Sequence, residues 1–348
     1  MLRVGIAGLG FMGMIHYLSY LKVRGVKVAA ICEQTRKRLT GDWRDIKGNF
    51  GPTGTRVDLS GIATYDNLDA MLDDPQIDMV DVTLPPAMHA DTVCKALQKG
   101  KHVFCEKPMA LKLVDCRRMV AAAQKANRQL MVGHVLPLLP EYAWARKMID
   151  TGRYGKLLGG SFRRVISDPA WLRHYWNADV IGGPMLDLHI HDAHFIRLLF
   201  DMPTSVSTTG RLREKLAEYW TTQFRFKQDF SVTATSGTIS QQGRPFDHGF
   251  EIHLEKATLM FRFAVIGDQA KYLCPPTILD DRGKAKPANM PDGDPMMNAF
   301  QAELKAVVQA VNTGKKNAVL GADLARDAIA ICQAQTRSLL QGKMVSLK

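Results

Sequence analysis

The chain has 348 residues, 46% of them hydrophobic and 23% charged; this is the balance of a globular protein long enough for two domains, and it excludes a disordered one. The net charge of +12 is spread over short clusters such as Arg36-Lys37-Arg38, Arg163-Arg164 and Lys315-Lys316. With no basic run interleaved with aromatics and no zinc-finger spacing, it reads as a solvated surface and not as a nucleic-acid footprint. No apolar run approaches the roughly 20 residues that span a bilayer, so no membrane partner is expected. Cys32, Cys94, Cys105, Cys116, Cys274 and Cys332 lie far apart with no C-x-x-C, which fits buried free thiols in a reducing, cytoplasmic setting.

Up to residue 135, short apolar runs alternate with helical patterns. The expected order is a strand over 3–8 (RVGIAG), a helix over 12–23, a strand over 26–31, and a Gly-rich polar loop over 41–61. Helix 67–73, strand 78–84, helix 88–98, strand 101–106, helix 111–126 and strand 129–135 follow. Such alternation implies a parallel sheet with helices on both faces. The rhythm then changes. A helix over 141–151 and a strand over 156–167 precede segments of period two at 205–212, 219–226, 229–239 and 248–263. These predict an antiparallel sheet with one polar face. Residues 280–295 read as a loop by composition, and helices over 297–312 and 321–341 close the chain.

Gly8-Leu-Gly10-Phe11-Met12-Gly13 leaves the first strand and opens the first helix. The first glycine permits the tight turn, the second lets backbone approach a pyrophosphate, and the third lets helix and strand pack closely. The helix N-terminus then presents free N–H groups to the phosphates. Strand, motif, helix and second strand come in the order a dinucleotide site requires. Glu33 ends the second strand, where a carboxylate can accept hydrogen bonds from an adenosine ribose, which favours NAD. Arg36, Lys37 and Arg38 follow at once and can pair with a 2′-phosphate, so NADP is the alternative.

GKHVFCEKP puts Lys107 at the carboxyl end of a parallel strand, where ligands of such sheets bind. There an amine can hold a substrate hydroxyl or stabilise charge developing on its oxygen; a surface lysine paired with Glu106 is the plainer reading. GGPMLDLHIHDAHF, residues 182–195, crowds Asp187, His189, His191, Asp192 and His194 together. If the segment is one helix, Asp187 and His191 share a face, His194 lies one turn on, and His189 and Asp192 turn away. That favours one acid–imidazole pair, with His189 and His194 as hydrogen-bonded core. A metal held by the three histidines has poor same-face spacing, so none is expected.

Gly8-x-Gly10-x-x-Gly13, then TLPPAMHADTVCKALQKGKHVFCEKP, then GGPMLDLHIHD resemble the Gfo/Idh/MocA oxidoreductases over nearly the whole chain, most strongly over 1–135 and 182–197. The resemblance implies an α/β fold. An N-terminal Rossmann domain (1–135) would precede a C-terminal α/β domain (136–348) with a large, mostly antiparallel, open-faced sheet. A late helix near 297–312 would pack on the Rossmann domain. It implies hydride transfer between NAD or NADP and a hydroxyl or carbonyl of a sugar, cyclitol or related molecule, in a homodimer or homotetramer. The family's E-K-P lysine falls on Lys107 and its D-x-x-x-H pair on Asp187 and His191; Pro85, His89 and Glu106 join Gly8, Gly10, Phe11, Met12, Gly13, Glu33, Arg38 and Lys107 as expected coenzyme contacts.

Removing hydride from an alcohol carbon also requires removing the hydroxyl proton. A histidine, with an ordinary pKa of about 6.5, suits that task at neutral pH. Asp187 can orient His191 or bind a neighbouring hydroxyl, and Lys107 can stabilise the alkoxide-like oxygen. In SDPAWLRHYWNADVIGG, the rings of Trp171 and Tyr175 suit sugar C–H surfaces and Arg173 suits a carboxylate or phosphate. Two other functions compete: a glycosidase that oxidises its sugar transiently with a retained NAD, and a cofactor-binding regulator without chemistry. The set of Lys107, Asp187 and His191 argues against the last.

Overall fold

The structure is a computed structural model that describes residues 1–170, 172 and 174–347. Two compact units make it up: Met1–Leu139 with Asp292–Arg326, and Pro140–Pro291 with Asp327–Lys348.

The first unit begins with β1 (Leu2–Ala7), α1 (Phe11–Tyr20), β2 (Val26–Cys32), a short α2 (Arg36–Leu39), β3 (Ala63–Tyr65) and α3 (Leu68–Asp73). It continues with β4 (Met79–Val82), α4 (Pro86–Gln98), β5 (His102–Glu106), α5 (Leu113–Ala126) and β6 (Leu130–Gly133). Among the described residues these strands form one parallel sheet in the order β3-β2-β1-β4-β5-β6. Every residue of β4 and β6 is buried, as expected of parallel strands covered on both faces. The order reverses between β1 and β4, and the crevice at their carboxyl ends is where ligands of such sheets bind.

In the second unit come α6 (Pro140–Asp150), β7 (Leu157–Ser167), α7 (Gly183–Asp187), α8 (Ile190–Phe200), β8 (Ser205–Arg213), β9 (Leu216–Arg225) and β10 (Ser231–Ile239). Then follow β11 (Phe246–Leu254), β12 (Ala257–Ile266), β13 (Gln269–Asp280) and β14 (Ala285–Pro287). After these the chain forms α9 (Pro295–Thr313), α10 (Ala322–Gln341) and β15 (Val345–Ser346). Among the described residues, the nine strands from β7 on pair in the order β14-β13-β12-β11-β7-β10-β9-β8-β15. The β7–β10 pair is parallel, and the other pairs are antiparallel.

The helix α9 belongs to the first unit. Asp294 caps it by accepting the Met296 and Met297 N–H groups, and Gly314 ends it in the left-handed conformation. Its Leu304, Val307, Val308 and Ala310 join Met14 and Tyr17 of α1 and Val4 and Ile6 of β1 in one core. Three expectations need correction. The run 248–263 is two strands turned at Glu255-Lys256, not one. β13 was not foreseen, and 280–295 contains β14. The cysteines are free, and all but the half-buried Cys274 are buried. Among the described residues, no helix is long and apolar enough to cross a membrane.

Candidate active site

The turn after β1 is closed by backbone. Gly8 reverses the chain at φ +95. A Cβ on Gly13 would stand 2.2 Å from the Gly8 carbonyl oxygen, so α1 packs here only through a glycine. The Thr83 hydroxyl, just past β4, donates to that same carbonyl at 2.6 Å. Gly10 differs: a Cβ there meets nothing within 4 Å. As N-cap it offers α1 no side-chain hydrogen bond, so the first-turn N–H groups, on Phe11, Met12 and Gly13, have no side-chain cap. Uncapped backbone donors beside a residue with no side chain fit a diphosphate.

Leu9 is clamped from both sides. Glu33 accepts the Leu9 N–H at 2.7 Å and the Thr35 N–H at 2.9 Å. Arg38 donates to the Leu9 carbonyl at 2.9 Å and pairs with Asp45 at 2.8 Å. Of the basic run, Lys37 lies 3.7 Å from Asp42. Glu33 and Arg38 thus both shape the turn through Leu9.

Lys107 follows β5 and is half-buried. Its main-chain N–H donates to Glu106 Oε2 at 2.9 Å. The other oxygen, Oε1, meets His16 Nε2 at 3.0 Å. Glu106 is therefore turned inward and supports the loop. The expected coenzyme contact is corrected for His89. It is fully buried, with Nδ1 at 2.9 Å from the Pro108 carbonyl and Nε2 at 2.7 Å from the Leu84 carbonyl. Burial holds its pKa below the ordinary value. It ties the turn before α4 to the loop after β5. Pro85 is exposed at the N-cap of α4.

In the second unit, the 182–195 segment is two helices and not one. The chain breaks at Leu188-His189, where both N–H groups reach the Pro184 carbonyl, at 3.1 and 3.0 Å. Asp187 closes α7, and His191 is the second residue of α8. From Gly183 to Ile196 every residue is buried except these two, which are half-exposed. His189 sits in the core, its Nδ1 at 2.7 Å from the Ser236 hydroxyl and its Nε2 at 3.1 Å from Gln335 Oε1. Burial pushes its pKa down to about 4. Asp192 is buried against Arg164, with Nε at 2.5 Å. His194 is fully buried. Arg163 and Arg164 lie on opposite faces of β7, Arg163 bonding Asp247 at 2.9 Å.

Trp171 and Arg173 lie outside the described residues. Tyr175 is only 1% exposed and packs edge-on against Trp176 with ring centroids 5.6 Å apart. It is a packing residue here, which corrects its expected place against substrate. Sequence reasoning missed His16, Asp81 and Glu303. Among the described residues, His16, Glu106 and Glu303 are the group of His, Cys, Asp or Glu whose atoms come close enough to share an ion; the histidines of 189–194 do not form one. The available signal was polarity in an apolar setting: His16 within α1, and Glu303 between Phe300 and Leu304.

Two models of one family match the chain. The model described as "Oxidoreductase family, NAD-binding Rossmann fold" matches residues 2–134, and the GFO/IDH/MocA C-terminal domain matches 142–260. The chain is 30% identical over 201 residues to 1-carboxy-3-chloro-3,4-dihydroxycyclo hexa-1,5-diene dehydrogenase of Comamonas testosteroni, covering 57% of this chain and 47% of that protein. It is 34% identical over 158 residues to inositol 2-dehydrogenase/D-chiro-inositol 3-dehydrogenase of Lactiplantibacillus plantarum, covering 45% and 42%. The matches thus span less than half the length of these curated relatives. The fold is similar to that of levoglucosan dehydrogenase in complex with NADH and levoglucosan, with a TM-score of 0.81 at 19% identity over 99% of both chains. The chain belongs to the GFO/IDH/MocA oxidoreductase family, and its first 134 residues carry that family's NAD-binding Rossmann fold.

Proposed function

We propose that the protein is an NAD-dependent dehydrogenase or reductase acting on a hydroxyl or carbonyl of a sugar, cyclitol or related molecule, with Lys107, Asp187 and His191 as catalytic residues. The observation that carries this reading is the exposure pattern of 183–196, in which only Asp187 and His191 reach the surface. An acid and an imidazole held outward by a buried segment are placed for chemistry and not for packing. The substrate class is supported by the names of the relatives, a dihydroxylated cyclohexadiene dehydrogenase and an inositol dehydrogenase.

Bound NAD supplies the hydride acceptor in oxidation and, reduced, the donor in reduction. His191 takes the hydroxyl proton in one direction and returns it in the other. Asp187 orients the imidazole or holds a neighbouring hydroxyl. Lys107 offers its ammonium to the oxygen on which negative charge develops. Glu33 supports NAD over NADP, because a carboxylate ending β2 accepts hydrogen bonds from a ribose diol and repels a 2′-phosphate.

The test is turnover on a panel of polyols, sugars and glycosides, followed by NADH absorbance and repeated with NADP. His191→Ala and Lys107→Met are each expected to lower turnover roughly 10²–10⁴-fold, with NAD affinity retained by fluorescence titration. Full turnover in either variant removes that residue from the mechanism. Product without net NADH would transfer the reading to redox-assisted glycoside cleavage.

A further inference from the structure

Beneath the loop that carries Lys107 lies a sealed cluster of ionisable groups. His16 and Tyr20 come from α1, Asp81 from β4, Cys105 and Glu106 from β5, and Glu303 from α9. The side chains of His16, Asp81 and Glu303 are fully buried. His16 bridges two carboxylates, with Nδ1 at 2.9 Å from Asp81 Oδ2 and Nε2 at 3.0 Å from Glu106 Oε1. The ring is stacked on Phe104, with centroids 5.5 Å apart, and flanked by Phe300 at 5.9 Å. Room for the Glu106 carboxylate is left by Gly133 of β6, where a Cβ would stand 3.0 Å from Oε1. Glu303 comes within 4.8 Å of both the His16 and the Glu106 ligand atoms. Neither of its oxygens has a hydrogen-bond partner among the described residues.

We propose that Glu303 holds a proton in the folded protein and that His16, as an imidazolium, is a positioning residue that fixes Glu106 and, through it, the main chain of Lys107. The charge count requires it. An ionised Glu303 would put a third buried carboxylate beside a single imidazolium, with no hydrogen bond to offset its lost hydration. As a neutral acid it leaves the imidazolium to Asp81 and Glu106, each of which takes one ring N–H. The electrostatics agree. Burial, then repulsion by Glu106 and Asp81, raises the Glu303 pKa well above the usual carboxylate range, against the opposing charge of His16. Burial disfavours protonation of His16, but attraction and hydrogen bonding to Asp81 and Glu106 outweigh it and set its pKa well above the ordinary value. The chain of support then runs from His16 Nε2 to Glu106 Oε1, and from Oε2 to the Lys107 N–H.

The functional meaning of this support rests on the reading of Lys107 given above, so the test includes measurements that need no turnover. Infrared difference spectra between wild type and Glu303→Gln at neutral pH are expected to show a carboxylic-acid C=O band in wild type that the variant lacks. Glu303→Gln, a neutral isostere, should fold and keep Lys107 reactivity within about twofold. Competitive acetylation of the full-length protein, read by peptide mass spectrometry, reports that reactivity. In His16→Asn or the milder His16→Gln, the Lys107 rate should change by about threefold or more, while Lys95 and Lys286 keep theirs. An absent band, a band that survives in Glu303→Gln, or a stoichiometric divalent ion lost in that variant would each overturn the protonated acid. Unchanged Lys107 labelling in folded His16 variants would overturn the positioning role. Lys107→Met turnover separates the two ideas. Full activity there, with labelling still responsive to His16, leaves the support standing and removes only the catalytic reading.

Discussion

Gly10→Ala places a methyl group where nothing lies within 4 Å, at a backbone conformation of φ −82 that alanine adopts freely. Its folding stability should stay within about 0.5 kcal/mol of wild type, while NAD affinity falls about tenfold or more, or roughly 1.4 kcal/mol, because the methyl group takes the space the diphosphate needs. Gly13→Ala does the reverse. Its Cβ would meet a carbonyl oxygen at 2.2 Å, and a backbone atom cannot swing aside, so a loss of about 1–3 kcal/mol or more is expected. Thermal melts and coenzyme titrations of the two variants check both; a Gly10→Ala protein that binds NAD as tightly as wild type would remove this turn as the phosphate site. The three glycines were legible in the sequence because each has a local reason. Glu33 was legible too, from its place at the end of β2. The clamp on Leu9, the inward turn of Glu106 and the partnership of His16 with Glu303 were not, since they join residues brought together only by the folded sheet and α9.

The α7–α8 break decides where Asp187 and His191 point. As one helix the segment would give them one shared face. The structure restarts the helix after His189, because its ring is fastened to Ser236 of β10 and Gln335 of α10 and α8 is held to β7 by Arg164–Asp192. Both partners of that ion pair are almost fully buried. Removing one leaves an uncompensated charge, so Asp192→Ala should cost roughly 3–5 kcal/mol, whereas the double replacement Arg164→Met with Asp192→Leu should recover most of it. Urea melts of the single and double variants measure the difference, and a single variant as stable as the double would show that the pair does not hold α8. Asp187 and His191 are both half-exposed although the segment is two helices, because the residue types already separate. The apolar neighbours and His189 go inward, and the two groups suited to proton transfer remain outside.

For the molecule as a whole, the buried histidines give stability two opposed dependences on pH. His189 and His248 have pKa values held down by burial, His189 to about 4. Their contribution is complete above the unfolded value of about 6.5 and is lost as pH falls towards 4, roughly 3 kcal/mol for His189 alone. His16 and Glu303 have raised values. The His16 contribution is complete below about pH 6.5 and is lost as pH rises through its folded value, and Glu303 adds a loss above its unfolded value of about 4.3. The melting temperature should therefore peak near pH 6.5 and fall on both sides, with Glu303→Gln flattening the alkaline limb. A melting temperature that stays level from about pH 6.5 to 9 would contradict this. At the same scale, the sheet of the second unit was foreseen but not its width. β13 escaped notice because Pro275 and Pro276 interrupt it, and prolines argue against a strand. The structure tolerates them because the β12 register slips opposite, between Met260 and Phe263, and β14 pairs only from Thr277 onward.

The parallel seam between β7 and β10 has a consequence for synthesis. β7 lies in mid-sheet, yet both strands that flank it are encoded downstream: β11 is complete only once the ribosome has passed Leu254, and neither strand is before it has passed Ile239. Until then β7 emerges with two bare edges and an apolar face, the kind of intermediate that invites chaperone capture or misassociation. Closing so distant a pairing is slow, so the second unit should be the last part of a nascent chain to become resistant to protease.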